Sequence, residues 1–253
     1  MSNPIGILTI VYCMAPDQSR RDALLALTSL GAISGCLSAS SPSGESQTAG
    51  SGATADIPRL TVDGTRLVTA EGRSITLRGV SIVDPKRGST TPARGQTSSD
   101  VVARLTDADA GWYPTVIRVP VQPIDIGDTE HGVAPTPPAF TQAQLEQYLT
   151  TYLDPVIAQC AERNVYAIID YHRHNEGIAW GSRSDETINI SLQAEARLFW
   201  DTVAPRYAED SHVLYEVYNE PASPTMEGTT SDPDNRATWR LFLEFIQPIV
   251  ETI

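Results

Sequence analysis

Glu220 and its neighbour Asn219 stand directly before Pro221, at the end of the run V-L-Y-E-V-Y-N-E-P over residues 213–221. The apolar, β-branched and aromatic part of that run reads as a buried strand. Pro221 cannot donate to a ladder and disfavours helix at the residue before it, so the strand is expected to end there. A carboxyl at a strand tip is either part of an ordinary strand-to-loop turn or, once burial raises its pKa, a general acid. Other polar side chains fall at matching places. Arg118 lies inside the apolar run T-V-I-R-V-P-V, and His172 and His174 follow the run V-Y-A-I-I-D-Y. A buried arginine needs an anionic partner. His172-Arg173-His174 also has a spacing that metal ligands use, although no metal or cofactor is expected.

These residues need elements to hold them. Residues 59–68 and 74–80 alternate about Asp63-Gly64, a hairpin signal. A first strand is expected over 77–82, a short helix over 99–108 and a second strand over 115–121. Thr141 and Gln144 form a capping box ahead of a helical repeat that Pro155 splits or kinks. Strands over 165–171 and 213–218, and helices over 191–207 and 236–253, complete the series. Strand and helix alternating in this way imply parallel βα units. Phe199, Trp200 and Val203 mark a buried helix face, and Trp239 is expected in the core. Cys160 reads as a buried helix residue without chemistry.

The chain has 253 residues and a formal net charge of −13, and Lys86 is its one lysine among 18 basic residues. An acidic, lysine-poor surface argues against nucleic acid or an anionic membrane as partner, and it suits a protein kept soluble in high salt. Ser19-Arg20-Arg21 precedes an apolar run, 23–34, that is too short to span a bilayer. Twin arginines before such a run resemble a twin-arginine export signal, and Ile33-Ser34-Gly35-Cys36 resembles a lipobox. Residues 1–36 are therefore read as an export signal ending at a lipidated Cys36, with the start codon at Met1 or Met14. Residues 37–56 are Ser/Gly/Ala/Thr-rich and read as a flexible tether. The remainder, 57–253, is expected outside the cytoplasm, held to the outer face of the membrane by lipid. A disordered N-terminus with a chance arginine pair is the alternative.

The series L-R-G-V (77–80), I-R-V-P (117–120), I-I-D-Y-H (168–172) and V-L-Y-E-V-Y-N-E-P (213–221) resembles the cellulase family of glycoside hydrolases, family five of the retaining barrel clan. F-W-D-T-V-A-P-R-Y-A-E-D (199–210) adds to the resemblance, which runs from Arg59 to Ile253. It implies a (β/α)8 barrel of the TIM type preceded by a small hairpin, a polysaccharide substrate such as β-glucan, and no cofactor. Position by position it implies Glu220 as general acid/base and Asn219 as the partner of a sugar 2-hydroxyl. His172 would touch the reacting sugar, and Arg118 would position the nucleophile. His174 and Trp180, in the following loop, are further candidates for the sugar, Trp180 by stacking on a ring.

A retaining glycosidase also needs an ionised carboxylate about 5–5.5 Å from the acid. Glu216 lies four residues back along the strand, about 13 Å at ~3.3 Å per residue. Asp170 faces the same side as His172 but deeper. The family places its nucleophile on the seventh strand, and only four βα units are legible here. The expectation is the N-terminal portion of such a barrel, inactive alone and in need of a complementing C-terminal half. The alternatives are a hydrolase of another β-linked polysaccharide such as mannan, and a non-catalytic sugar-binding half-barrel.

Overall fold

The computed structural model describes residues 57–91, 95–127, 136–173, 179–182, 185–221 and 234–253, with the side chains of 234–236 left aside. The expected export signal and tether, with Cys36 and His174, lie outside the described residues.

An antiparallel ribbon comes first: β1 (Thr61–Asp63), β2 (Arg66–Val68) and β3 (Ser74–Ile75). Asp63 pairs with Arg66 across a two-residue turn whose Gly64 takes φ +60°, open to glycine at no steric cost. The main sheet has four parallel strands in chain order: β4 (Gly79–Ser81), β5 (Val116–Val121), β6 (Tyr166–Tyr171) and β9 (Val213–Glu216). A second ribbon, β7 (Gly181–Ser182) with β8 (Thr187–Ile188), stands between β6 and β9 in the chain. The helices are α1 (Pro85–Thr90), α2 (Ser98–Leu105), α3 (Pro123–Ile126), α4 (Gln142–Tyr148), α5 (Asp154–Glu162), α6 (Ile190–Arg206) and α7 (Asp234–Val250). The capping box at Thr141 forms as expected, with Thr141 N–H donating to Gln144 Oε1 at 2.9 Å. Pro155 opens α5, and a π-helical turn, Leu149–Leu153, joins α4 to it, so the segment is divided.

Strand alternation sorts the side chains. Ile117, Val119, Val121, Ala167, Ile169, Tyr171, Val213 and Tyr215 enter the main core with Leu145, Leu149, Phe199, Trp200 and Phe245 from the helices. The other parity begins with an apolar layer, Val116, Tyr166, Ile168 and Leu214, which packs with Ile57, Leu60, Leu67, Ile75 and Leu77 from the ribbon region. The ribbon thus covers the N-terminal end of the sheet, tied by Tyr166 Oη donating to Pro58 O at 2.7 Å. One layer further along this parity stand Arg118, Asp170 and Glu216.

Three sequence expectations change. β9 stops at Glu216 rather than 218, because Trp200 Nε1 donates to the Val217 carbonyl at 3.0 Å and takes that acceptor outside the ladder. Trp239 is 45% exposed on α7, not core, and Trp180 is buried at 1%. Cys160 is buried as expected, and burial pushes its thiol up to about 12.

Gly79 sits where β4 and β5 approach most closely: a Cβ there would lie 1.7 Å from Val116 O. Gly79→Ala must therefore push the strands apart, and a loss of about 3 kcal/mol is expected in denaturant unfolding, the scale of overpacking. An unchanged midpoint would contradict this contact. Asp84, fully buried, caps α1 and accepts from Gln122 N–H and Tyr148 Oη, both at 2.8 Å. Burial, then the charge of Asp125, raises its pKa from 3.8 to about 6, against the pull of these hydrogen bonds. Arg87, on Asp125 at 2.8 Å, and Lys86, on the Asp125 carbonyl at 3.0 Å, complete the charged surroundings. A raised acid contributes stability fully below its unfolded pKa and loses it as pH rises through the folded one. Wild-type stability minus that of Asp84→Asn is therefore expected to fall by about 2 kcal/mol between pH 4 and 7. A difference that stays flat over that interval would refute it.

Candidate functional site

Of the polar residues named from the sequence, Arg118, His172 and Asn219 meet at the C-terminal end of the parallel sheet. Arg118, on β5, is the hub. Its Nε donates to Glu216 Oε2 at 2.7 Å and its Nη2 to Glu216 Oε1 at 2.8 Å, a two-pronged pairing of guanidinium with carboxylate. Nη2 also reaches Asp170 Oδ2 at 2.8 Å and Asn219 Oδ1 at 3.0 Å. The register explains the convergence: Asp170 is the Cα partner of Glu216 across β6 and β9. The hydrogen bonds to Glu216 raise the Arg118 pKa, burial opposes them, and the charges of Asp170, Glu216 and Glu220 add to the rise.

Asp170 is fully buried. Its Oδ2 also meets His172 Nδ1 at 2.5 Å, so one oxygen serves both Arg118 and His172. Burial pushes the Asp170 carboxyl up, the hydrogen bond from His172 lowers it, and the Glu216 charge raises it again. The anionic partners that a buried arginine needs are thus found within this chain. Glu216, set aside as too far from Glu220 to attack, is the main partner of Arg118, and Asp170 is part of the site rather than a bystander below it. Charge balance was the available signal: an inward arginine on β5 calls for inward carboxylates, and the next two strands each carry one.

Asn219 is buried, with its N–H donating to Tyr171 O at 3.1 Å. Glu220 follows at φ +39°, in the left-handed region that costs a residue with a side chain of order 1–3 kcal/mol. Its side chain is exposed, rather than buried as the general-acid alternative pictured it. The charge of Glu220 is nonetheless felt at Arg118.

Trp180 corrects another expectation. Its ring is enclosed by Phe242 and Phe245, with centroids 5.1 and 6.2 Å away, so it has no face for a sugar. Its Nε1 donates to Pro221 O at 3.1 Å, behind the Glu220 turn.

Arg173 points the opposite way from His172. It is fully buried and pairs with Glu195 of α6 at 2.5 Å. Tyr171 Oη donates to the same Glu195 oxygen at 2.6 Å. Sequence reasoning missed this pair, although strand alternation places Arg173 on the helix side of His172. Among the described residues no group of three or more His, Cys, Asp or Glu is arranged to hold a metal ion.

The chain matches the family model for cellulase (glycosyl hydrolase family 5) over residues 68–253. It is 33% identical over 92 residues to an endoglucanase of Halalkalibacter akibai, covering 36% of this chain and 10% of that one. It is 32% identical over 96 residues to endoglucanase C of Evansella cellulosilytica, covering 36% and 11%. Among solved structures it is similar to the β-glucanase SdGluc5_26A of Saccharophagus degradans, with TM-score 0.52, 21% identity and coverage of 78% of this chain and 50% of that one. It is also similar to the catalytic domain of Thermobifida fusca endoglucanase Cel5A, with TM-score 0.50, 20% identity and coverage of 78% and 50%. The aligned part thus spans half the length of these solved proteins. At these identities the likeness establishes the fold, a parallel α/β architecture of the TIM-barrel type. With the family model covering residues 68–253, the chain belongs to the cellulase family, glycosyl hydrolase family 5.

Proposed function

We propose that this chain carries the acid/base side of a retaining enzyme that hydrolyses β-glucan. The observation that carries the reading is the gathering of Arg118, His172 and Asn219 at one end of the parallel sheet, with Glu220 directly after Asn219. In this reading Glu220, protonated, delivers its proton to the departing glycosidic oxygen and later takes one from water. Asn219 holds the sugar 2-hydroxyl and His172 touches the reacting sugar. Its family supports a glycosidase, and the Saccharophagus β-glucanase, solved in complex with cellotetraose at TM-score 0.50 and 22% identity, supports a β-glucan oligosaccharide as ligand.

The nucleophile is a separate matter. Glu216 is committed to Arg118 by both oxygens, and Asp170 to Arg118 and His172. Neither is placed to attack an anomeric carbon while it holds these partners. We therefore propose that the four parallel units act as part of a barrel and do not complete the double displacement by themselves.

The purified full chain is expected to bind cellotetraose, with the His172 resonances responding, and to turn over no soluble β-glucan. Absence of binding would sink the substrate reading. Turnover that vanishes in Glu220→Gln would show an attacking carboxylate within this chain. In a longer enzyme that supplies the nucleophile, Glu220→Gln should slow substrates with poor leaving groups by at least ~10²-fold, and those with good ones less. Export is proposed from Arg20, Arg21 and Cys36. Changing both arginines to lysine is expected to retain the protein in the cytoplasm, while wild type fractionates with membranes through a lipid on Cys36. Secretion of the unmodified chain would refute it.

A further inference from the structure

Asp170 Oδ2 receives Arg118 Nη2 at 2.8 Å and lies 2.5 Å from His172 Nδ1. An oxygen that already accepts a proton from a guanidinium is poorly placed to carry one of its own. A proton on the other oxygen, Oδ1, would be buried with no hydrogen-bond partner. Asp170 is therefore the acceptor toward His172, so Nδ1 bears the proton and, in the neutral ring, Nε2 bears the lone pair. Asn219 is oriented by the same hub. Its Oδ1 accepts from Arg118 Nη2 at 3.0 Å, which assigns Nδ2 as the donor of the amide. Nη2 has two protons and three acceptors within reach: Glu216 Oε1, Asp170 Oδ2 and Asn219 Oδ1. Their balance holds only while Glu216 grips the guanidinium by its Nε as well, at 2.7 Å.

We propose that Asp170 and Glu216 are positioning residues that set the hydrogen-bonding character of the site: Asp170 fixes His172 as an Nε2 acceptor, and Glu216, through Arg118, fixes Asn219 as an Nδ2 donor. The role rests on the sugar-binding reading above. It gives the site one acceptor and one donor for sugar hydroxyls, each able both to give and to take a hydrogen bond. It also gives Glu216 a use that does not involve attack on the substrate.

The test is nitrogen NMR of the full chain carrying ¹⁵N-labelled histidine, at pH 8.5, where an ordinary imidazole is neutral. The His172 signal among the four histidines is identified by its loss in His172→Gln. Wild type is expected to show a protonated Nδ1 and a bare Nε2. Asp170→Asn should mix the two tautomers and weaken cellotetraose binding about tenfold, the scale of one charge-assisted hydrogen bond. Glu216→Gln should keep the His172 tautomer, move the Asn219 side-chain amide signals and weaken binding to a similar degree. Val203→Ala, deep in the core on α6, lowers stability and should leave the His172 tautomer and cellotetraose affinity as in wild type.

A wild-type His172 protonated at Nε2 overturns the proposal, and this outcome does not depend on any variant folding. Variants that bind cellotetraose as tightly as wild type overturn it as well. A wild type with the expected tautomer but no affinity for cellotetraose removes the substrate reading and, with it, this role. The tautomer alone therefore separates failure of the positioning from failure of the function.

Discussion

A guanidinium set within a parallel sheet has lost most of its water, and it holds its place only if carboxylates from neighbouring strands take over that hydration. Arg118 meets this condition through Asp170 on the next strand and Glu216 on the one beyond. Removing one partner of such a pair typically costs about 3–5 kcal/mol, because a charge is then stranded. The consequence reaches past the site. A slip of one residue between β6 and β9 would turn Glu216 toward the helices and strip Arg118 of its fork. The Arg118 cluster and the register of three strands are thus one constraint, and His172 and Asn219 inherit their geometry from it.

The opposite face repeats the device in a different medium. Tyr171 and Arg173 alternate with Asp170 and His172 along the same segment, so they point toward α6. There Glu195 accepts from both, and Ala139 N–H reaches its other oxygen at 2.5 Å. Two ion pairs of opposite orientation therefore brace the end of β6. One lies sealed between sheet and helix. The other opens onto the end of the strands, with Arg118 26% exposed at its side chain. Sealing suits a pair that has only to hold; partial exposure suits one whose neighbours are proposed to meet a ligand.

The elements were legible in the sequence where local chemistry decides them. The Thr141–Gln144 box, the Asp63-Gly64 turn, the break at Pro155 and the apolar strands all depend on residues close together in the chain. Arg118, His172, Asn219 and Glu220 were singled out because the family's motifs mark them. What stayed hidden depends on partners far away in sequence. Glu216 meets Arg118 only after three strands align, and Arg173 meets Glu195 only once α6 docks. Trp180 was misread for the same reason. An indole in a loop beside a candidate sugar site suggests stacking, but α7 delivers Phe242 and Phe245 onto its ring.

That misreading points to how the Glu220 turn is made. Beyond β9 the chain leaves the ladder, and three bonds from outside it pin residues 217–221. Trp200 Nε1 takes the Val217 carbonyl, Tyr171 O accepts the Asn219 N–H, and Trp180 Nε1 takes the Pro221 carbonyl. Held on both sides, Glu220 can occupy φ +39°, a conformation that the chain alone would disfavour by of order 1–3 kcal/mol. The proline after it narrows the alternatives, since the residue before a proline avoids the right-handed helical region. Trp180 and Trp200 therefore serve the candidate acid from behind, by fixing the backbone that presents it. The rigidity of this turn thus comes from the backbone around Glu220 rather than from its side chain, which is exposed.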